Sequence, residues 1–443
     1  MKLSGLSLQQ APPISVPFRF FLTAPLFGIA SALLMIAMSG DLTVSRWAPE
    51  TLALAHCFLL GFATSIMLGA QMQMLPVLAG ATIGKPDQTG FLVHTLWTLG
   101  VIALIAAFLF GKPFLFQAAA IALTTAIALF VTAAGRALIK STVKTPSIVG
   151  IKLALTALLI TITWGVVMAL GHTGYIPLQR PSGTDIHAMW GLVGWTGLLI
   201  IAVAYQVVPL FQITNTFPKP VSRVLVPVLF VLMVLRMVFS FFDQKPTPNA
   251  GDFYFNRLLI LDLLISAALI IFAVTTLYLQ HHRRRSINES HQHFWRIACM
   301  GLLATSICWW LATFLSPPQL ELHFKFLCVI LYIIAFITPV IIGMLYKITA
   351  FLLWFHLQGI NTERAMAGKA PIQVPHMKGF IPERRIKIQL YLLVAAQLLT
   401  LAIPAFPAIL NTAAGAVWLG VFSMMTWSLY SASCKYRRLA STR

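Results

Sequence analysis

Twelve apolar runs, each long enough to cross a bilayer, limit what this chain can fold into. They cover roughly 17–39, 51–79, 89–110, 113–139, 147–171, 184–213, 221–242, 255–280, 293–315, 320–353, 385–408 and 411–434 of the 443 residues. A helix needs about 20 apolar residues to span the hydrocarbon. Inside the bilayer the backbone must satisfy its own hydrogen bonds, which a helix does. The prediction is an all-α polytopic membrane protein, a single transmembrane domain over 1–443. Only 9% of the residues are charged, against about 25% in soluble domains. The net charge of +20 would suggest nucleic acid on a soluble chain. Here the basic residues sit in short loops between apolar runs, as orientation signals do. No nucleic acid is expected as a partner; membrane lipid is.

Orientation follows from those loops. One side carries Lys85, Arg136, Lys140, Lys144, Lys219, Arg223, Arg283 to Arg285, the stretch from Arg364 to Lys387, and Lys435, Arg437 and Arg438. The opposite loops hold little beyond Arg46, Lys112, Arg180 and Lys245. The positive-inside rule then puts both termini in the cytoplasm. The longest loop, about 354–384, is read as an irregular cytoplasmic surface segment. The first 16 residues lack a basic region and a short cleavable core, so the first helix is read as retained. Cys57, Cys299, Cys308 and Cys328 lie in apolar runs with no CxxC pair, which suggests neither a disulfide framework nor a zinc site.

The runs fall into three quartets, about 17–139, 147–280 and 293–434, a weak threefold pseudo-repeat. The second member of each is long and has a histidine within its first two turns: His56, His187 and His323. A proline follows 16 to 22 residues later, at Pro76, Pro209 and Pro339. Similar depth is expected for the three histidines. An imidazole can ligate a metal through one nitrogen and donate through the other. Two imidazoles from facing helices can clamp a haem iron between apolar walls. Each histidine alone is more ordinarily a hydrogen-bonded structural residue. Gly191 and Gly194 share the face of His187 and would admit a flat ring or another helix. Met67, Met72 and Met74 could offer sulfur to copper, although a methionine face more often packs.

Arg236 and Asp262 are charges inside apolar runs, and antiparallel neighbours would put them at one depth as a structural ion pair. Arg180 and Lys325 lie at the outer edge, where either could neutralise haem propionates or stay solvated. His281, His282, His291 and His293 cluster with arginines at the cytoplasmic edge and read as a solvated loop.

The segment His56, Gly61, Phe62, Ala63, with Gly69, Pro76 and Gly80 after it, resembles the NnrS family of membrane haem proteins. Pro17-Phe18-Arg19-Phe20-Phe21 is similar to the opening of that family. Asp185 to Pro209 resembles small relatives of haem–copper oxidase subunit I. The resemblance implies twelve helices in threefold pseudo-symmetry, with ligands on helices two, six, seven and ten. It implies His56 and His323 as axial ligands to a b-type haem, and leaves His187 to hold a second haem, copper or nothing. The chain departs from the oxidases in three places. Span 221–242 has no histidine, His323-Phe324-Lys325 has only one, and Ala188 follows His187. A complete oxygen-reducing centre is therefore not expected, and a terminal oxidase is not the expected enzyme. The expected roles are nitric oxide stress response, respiratory haem or copper handling, or electron transfer with a respiratory-chain or other electron-donor protein. The alternative is a haem-free transporter, assembly factor or structural subunit on the same scaffold.

Overall fold

A computed structural model describes residues 10–38, 45–80, 82–177, 182–242, 257–283, 289–315 and 318–441. Among the described residues there is no strand. Twelve helices there are long and apolar enough to cross a membrane. They are α1 Ser15–Ala37, α2 Pro49–Ala79, α3 Pro86–Phe110, α4 Pro113–Lys140, α5 Pro146–His172 and α6 Gly183–Gln212. They continue as α7 Lys219–Phe242, α8 Arg257–His281, α9 Ser290–Leu315, α10 His323–Met366, α11 Glu383–Ala405 and α12 Ile409–Ala440. The protein is thus an all-α, multi-pass membrane protein.

Helix ends follow local chemistry. Proline opens α2, α3, α4 and α5, where its missing N–H is no loss. Gly80 and Gly111 close α2 and α3 in the left-handed conformation, at φ 64° and 63°. Each donates its N–H back into its helix, to the carbonyls of Pro76 and Ala107. Two boundaries depart from the sequence reading. One is the end of α12, which runs to Ala440 where 434 was expected. The helix of α10 runs on to Met366, so the irregular segment before α11 begins near 367 and not at 354. Leu352, Leu353 and Leu357 are buried, and this apolar stripe carries the helix onward.

Packing divides the chain into two compact units that do not follow the three quartets. The first holds Met1–Ser141, Asn288–Ala298 and Ile337–Arg443. The second holds Thr142–Ile287 and Cys299–Phe336. The first and second quartets each stay whole, while α9 and α10 each contribute to both units. Within the first unit α1 packs on α12. A side chain at Gly28 would overlap the Phe422 ring, and a Cβ at Gly415 would come within 2.7 Å of Ile36. Asn411 donates to the Met35 carbonyl at 2.9 Å across the same contact. Within the second unit a Cβ at Gly150 of α5 would lie 2.5 Å from that of Ala202 on α6. Small residues let helices approach closely where lipid gives no hydrophobic drive to pack.

The three long helices share a feature that no residue pattern announced. Each contains a widened π-helical stretch: Cys57–Thr64 in α2, Trp190–Gly197 in α6 and Tyr332–Ile337 in α10. Such a turn disrupts the regular ladder, so a carbonyl there can be bonded from outside. In α2, the Leu60 carbonyl accepts from Trp97 of α3 at 3.2 Å and from Ser65 at 3.1 Å. In α6, the Leu192 carbonyl accepts from the Tyr332 hydroxyl of α10 at 3.4 Å and from Thr196. In α10, a Cβ at Gly301 of α9 would overlap the Ala335 carbonyl.

Candidate functional site: the histidines of the long helices

His56 ends the first straight segment of α2, immediately before its π stretch. Its Nδ1 lies 2.7 Å from the Leu52 carbonyl one turn earlier. A carbonyl oxygen can only accept, so Nδ1 carries the hydrogen. A neutral ring then keeps its lone pair on Nε2. Metal-bound histidines are commonly oriented by such a bond from the other nitrogen. The half-buried ring lies 5.1 Å from Phe108 of α3, which meets Phe116 of α4 edge-on at 5.3 Å.

His187 reaches the same tautomer by another route. Its Nδ1 lies 3.1 Å from the Thr161 carbonyl on α5. A Cβ at Gly165, one turn along α5, would stand 3.3 Å from its Cε1. His187 therefore docks on α5, whereas His56 packs on α3, and the pseudo-repeat does not extend to their neighbours. The glycines on its face are filled by helices. A Cβ at Gly191 would meet Thr161 at 3.3 Å, and one at Gly194 would meet Ala157 and Met233 at 3.1 Å. Helix packing, not an opening for a flat ring, is what these two residues serve. Met67 and Met72 are buried and pack likewise.

His323 is half-buried, with Phe324 at 6.1 Å between ring centres. Lys325 lies 2.6 Å from Glu321 and 5.2 Å over the Trp309 ring, so Glu321 is its anion here. Arg180 lies outside the described residues. His56 belongs to the first unit, His187 and His323 to the second. The π stretches give each helix its own ruler. They end 8 residues after His56, 10 after His187 and 14 after His323. The first and third offsets differ by about 9 Å of helix rise. Pro76 and Pro209 each lie 12 residues past that end, Pro339 only 2. The correspondence is close between α2 and α6 and loose for α10.

The second unit also carries intramembrane charge. Arg236 Nε lies 2.9 Å from Asp262 Oδ1, with both side chains about a quarter exposed, at 23% and 24%. Lys325 and Asp185 are near enough for their charges to act on the same carboxylate.

A group on the basic side escaped the sequence reading. His291 was expected in a solvated loop but is 3% exposed. Its Nδ1 lies 3.2 Å from Glu289, which also takes Lys347 of α10 at 2.8 Å and faces Lys378 at 3.7 Å. The hydrogen bond from His291 and, after it, the Lys347 ammonium hold the Glu289 carboxyl far below the ordinary range, against the effect of burial. Glu383 at the start of α11 accepts the Ser290 N–H at 2.7 Å beside it. These groups tie α9, α10, α11 and the segment between the last two. Four histidines among arginines look like loop, and only the fold could bury the third.

Among the described residues, no three or more His, Cys, Asp or Glu side chains come together as a metal-holding group. No family model matches the chain, and no curated protein is significantly similar to it.

Proposed function

We propose that this is a haem-binding membrane protein in which Nε2 of His56 would hold the haem iron. The observation that carries the reading is the 2.7 Å bond from His56 Nδ1 to the Leu52 carbonyl, which leaves the lone pair of a neutral ring on Nε2. The aromatic surroundings at Phe108 suit an apolar macrocycle. Haem, when bound, supplies one-electron exchange or a site for a diatomic gas such as nitric oxide. The chain contributes orientation of the imidazole and an apolar wall. The resemblance names His323 as the second ligand and a bacterial inner membrane as the setting, and the basic loops support cytoplasmic termini. Copper and a respiratory electron donor enter by that same resemblance. The test is the low-spin haem spectrum of purified variants. His56→Ala and His323→Ala should each abolish it, and His187→Ala should leave it largely intact. Equal loss in all three contradicts the assignment.

A second reading, a haem-free transporter or assembly factor, draws on the Arg236–Asp262 pair with Asp185 and Lys325 near it. Ionisable groups within membrane helices often mark solute or proton paths.

A further inference from the structure

The outward face of α11 is built like one leaflet of a membrane seen from the side. Arg384, Lys387, Tyr391, Ala395 and Leu398 are all exposed. Their spacing of three and four residues places them on one helical face. The two cations stand in the first turns, and the apolar residues follow. Tyr391 is 69% exposed and Leu398 63%. From Lys387 to Leu398 the helix rises about 16 Å, close to half of the roughly 30 Å hydrocarbon thickness.

The neighbouring helix completes the surface. Arg385 lies 3.8 Å over the ring of Trp427 on α12, and its Nη1 donates to Ser431 at 3.0 Å. Trp427 is 55% exposed, and amphipathic rings of this kind favour the boundary of a bilayer. The Arg385 guanidinium thus sits between an indole face and a hydroxyl. The acid closest along α11 is Glu383, and its carboxylate is turned to the Ser290 N–H at 2.7 Å. This end of α11 therefore presents positive charge above a lipid-facing apolar stripe.

We propose that α11 and α12 hold one anionic phospholipid of the leaflet on the basic side. Its phosphate lies on Arg384 and Lys387, and one acyl chain runs along Tyr391 and Leu398. Charge complementarity selects the headgroup, and the length of the apolar stripe selects a single-leaflet chain. The site is independent of any haem.

Native mass spectrometry of the full-length protein, purified from bilayers of phosphatidylglycerol and phosphatidylcholine in equal parts, tests this. One phosphatidylglycerol should be retained per chain, in clear excess over phosphatidylcholine. Each basic residue near a charged surface contributes about 1 kcal/mol, so Arg384→Gln with Lys387→Gln should cut retention roughly tenfold or more. Lys85→Gln with Lys140→Gln, on the same side of the membrane, should leave it unchanged. All four side chains are exposed, and an unaltered melting curve establishes that the variants fold. Equal retention of both lipids, equal loss in the two double variants, or a dimer carrying no lipid would overturn the proposal.

Discussion

At the scale of single residues, short polar contacts place the notable polar groups of this bundle. His56 is set by Leu52, Arg236 by Asp262, and Glu289 by His291 and Lys347. Asp262→Asn leaves the guanidinium without its counter-charge among apolar helices. The pair is partly exposed, so we expect a loss of about 1–3 kcal/mol, short of the value for a fully buried pair. Thermal unfolding in detergent measures it, and Arg236→Gln added to Asp262→Asn should recover part of the loss. Glu289 predicts a pH dependence. Its folded pKa is lowered, so its stabilisation is complete above the unfolded value of about 4.3 and fades as pH falls toward the folded one. The difference in melting temperature between wild type and Glu289→Gln should narrow as pH falls below about 4.3. The lone charges in apolar runs were legible in the sequence because lipid tolerates so few of them. His291 was not, because only the fold brings Lys347, 56 positions away, to the Glu289 carboxylate that His291 also bonds.

At the scale of elements, the apolar runs matched ten of the twelve helices to within about three residues at each end, since bilayer thickness is a strict length filter, whereas α10 and α12 run on past the apolar run to Met366 and Ala440. The π stretches were invisible, because a widened turn is settled by what caps it. Trp97 and Tyr332 do so from other helices. Glycines supply a test with opposite signs at two places. Gly301→Ala would push a methyl into the Ala335 carbonyl, a backbone atom that cannot swing aside. It should destabilise the protein by about 1–3 kcal/mol. Gly420→Ala in α12 meets nothing within 4 Å and should be neutral or stabilising by up to about 1 kcal/mol. Comparable losses at both positions would mean that the packing of α9 on α10 is misread. Gly191 and Gly194 teach the limit of such reasoning. Their spacing fits a flat ring or a helix equally well, and Thr161, Ala157 and Met233 decide for the helix.

At the scale of the whole molecule, if each of the twelve apolar helices among the described residues crosses the bilayer, the chain returns to the side from which it started. Reporter fusions after Lys140 and at the C-terminus should therefore read the same compartment, and a fusion at Lys112 the opposite one. The two compact units keep the first and second quartets whole and divide the third between them. The threefold pattern was read from histidines and prolines, and only α2 and α6 keep those two marks in near register about their π stretches. The most direct measurement is the absorption spectrum of the purified full-length protein, as isolated and after addition of haem b. The account predicts a Soret band that saturates with added haem and is lost in His56→Ala. A chain that shows no Soret band, with or without added haem, contradicts it.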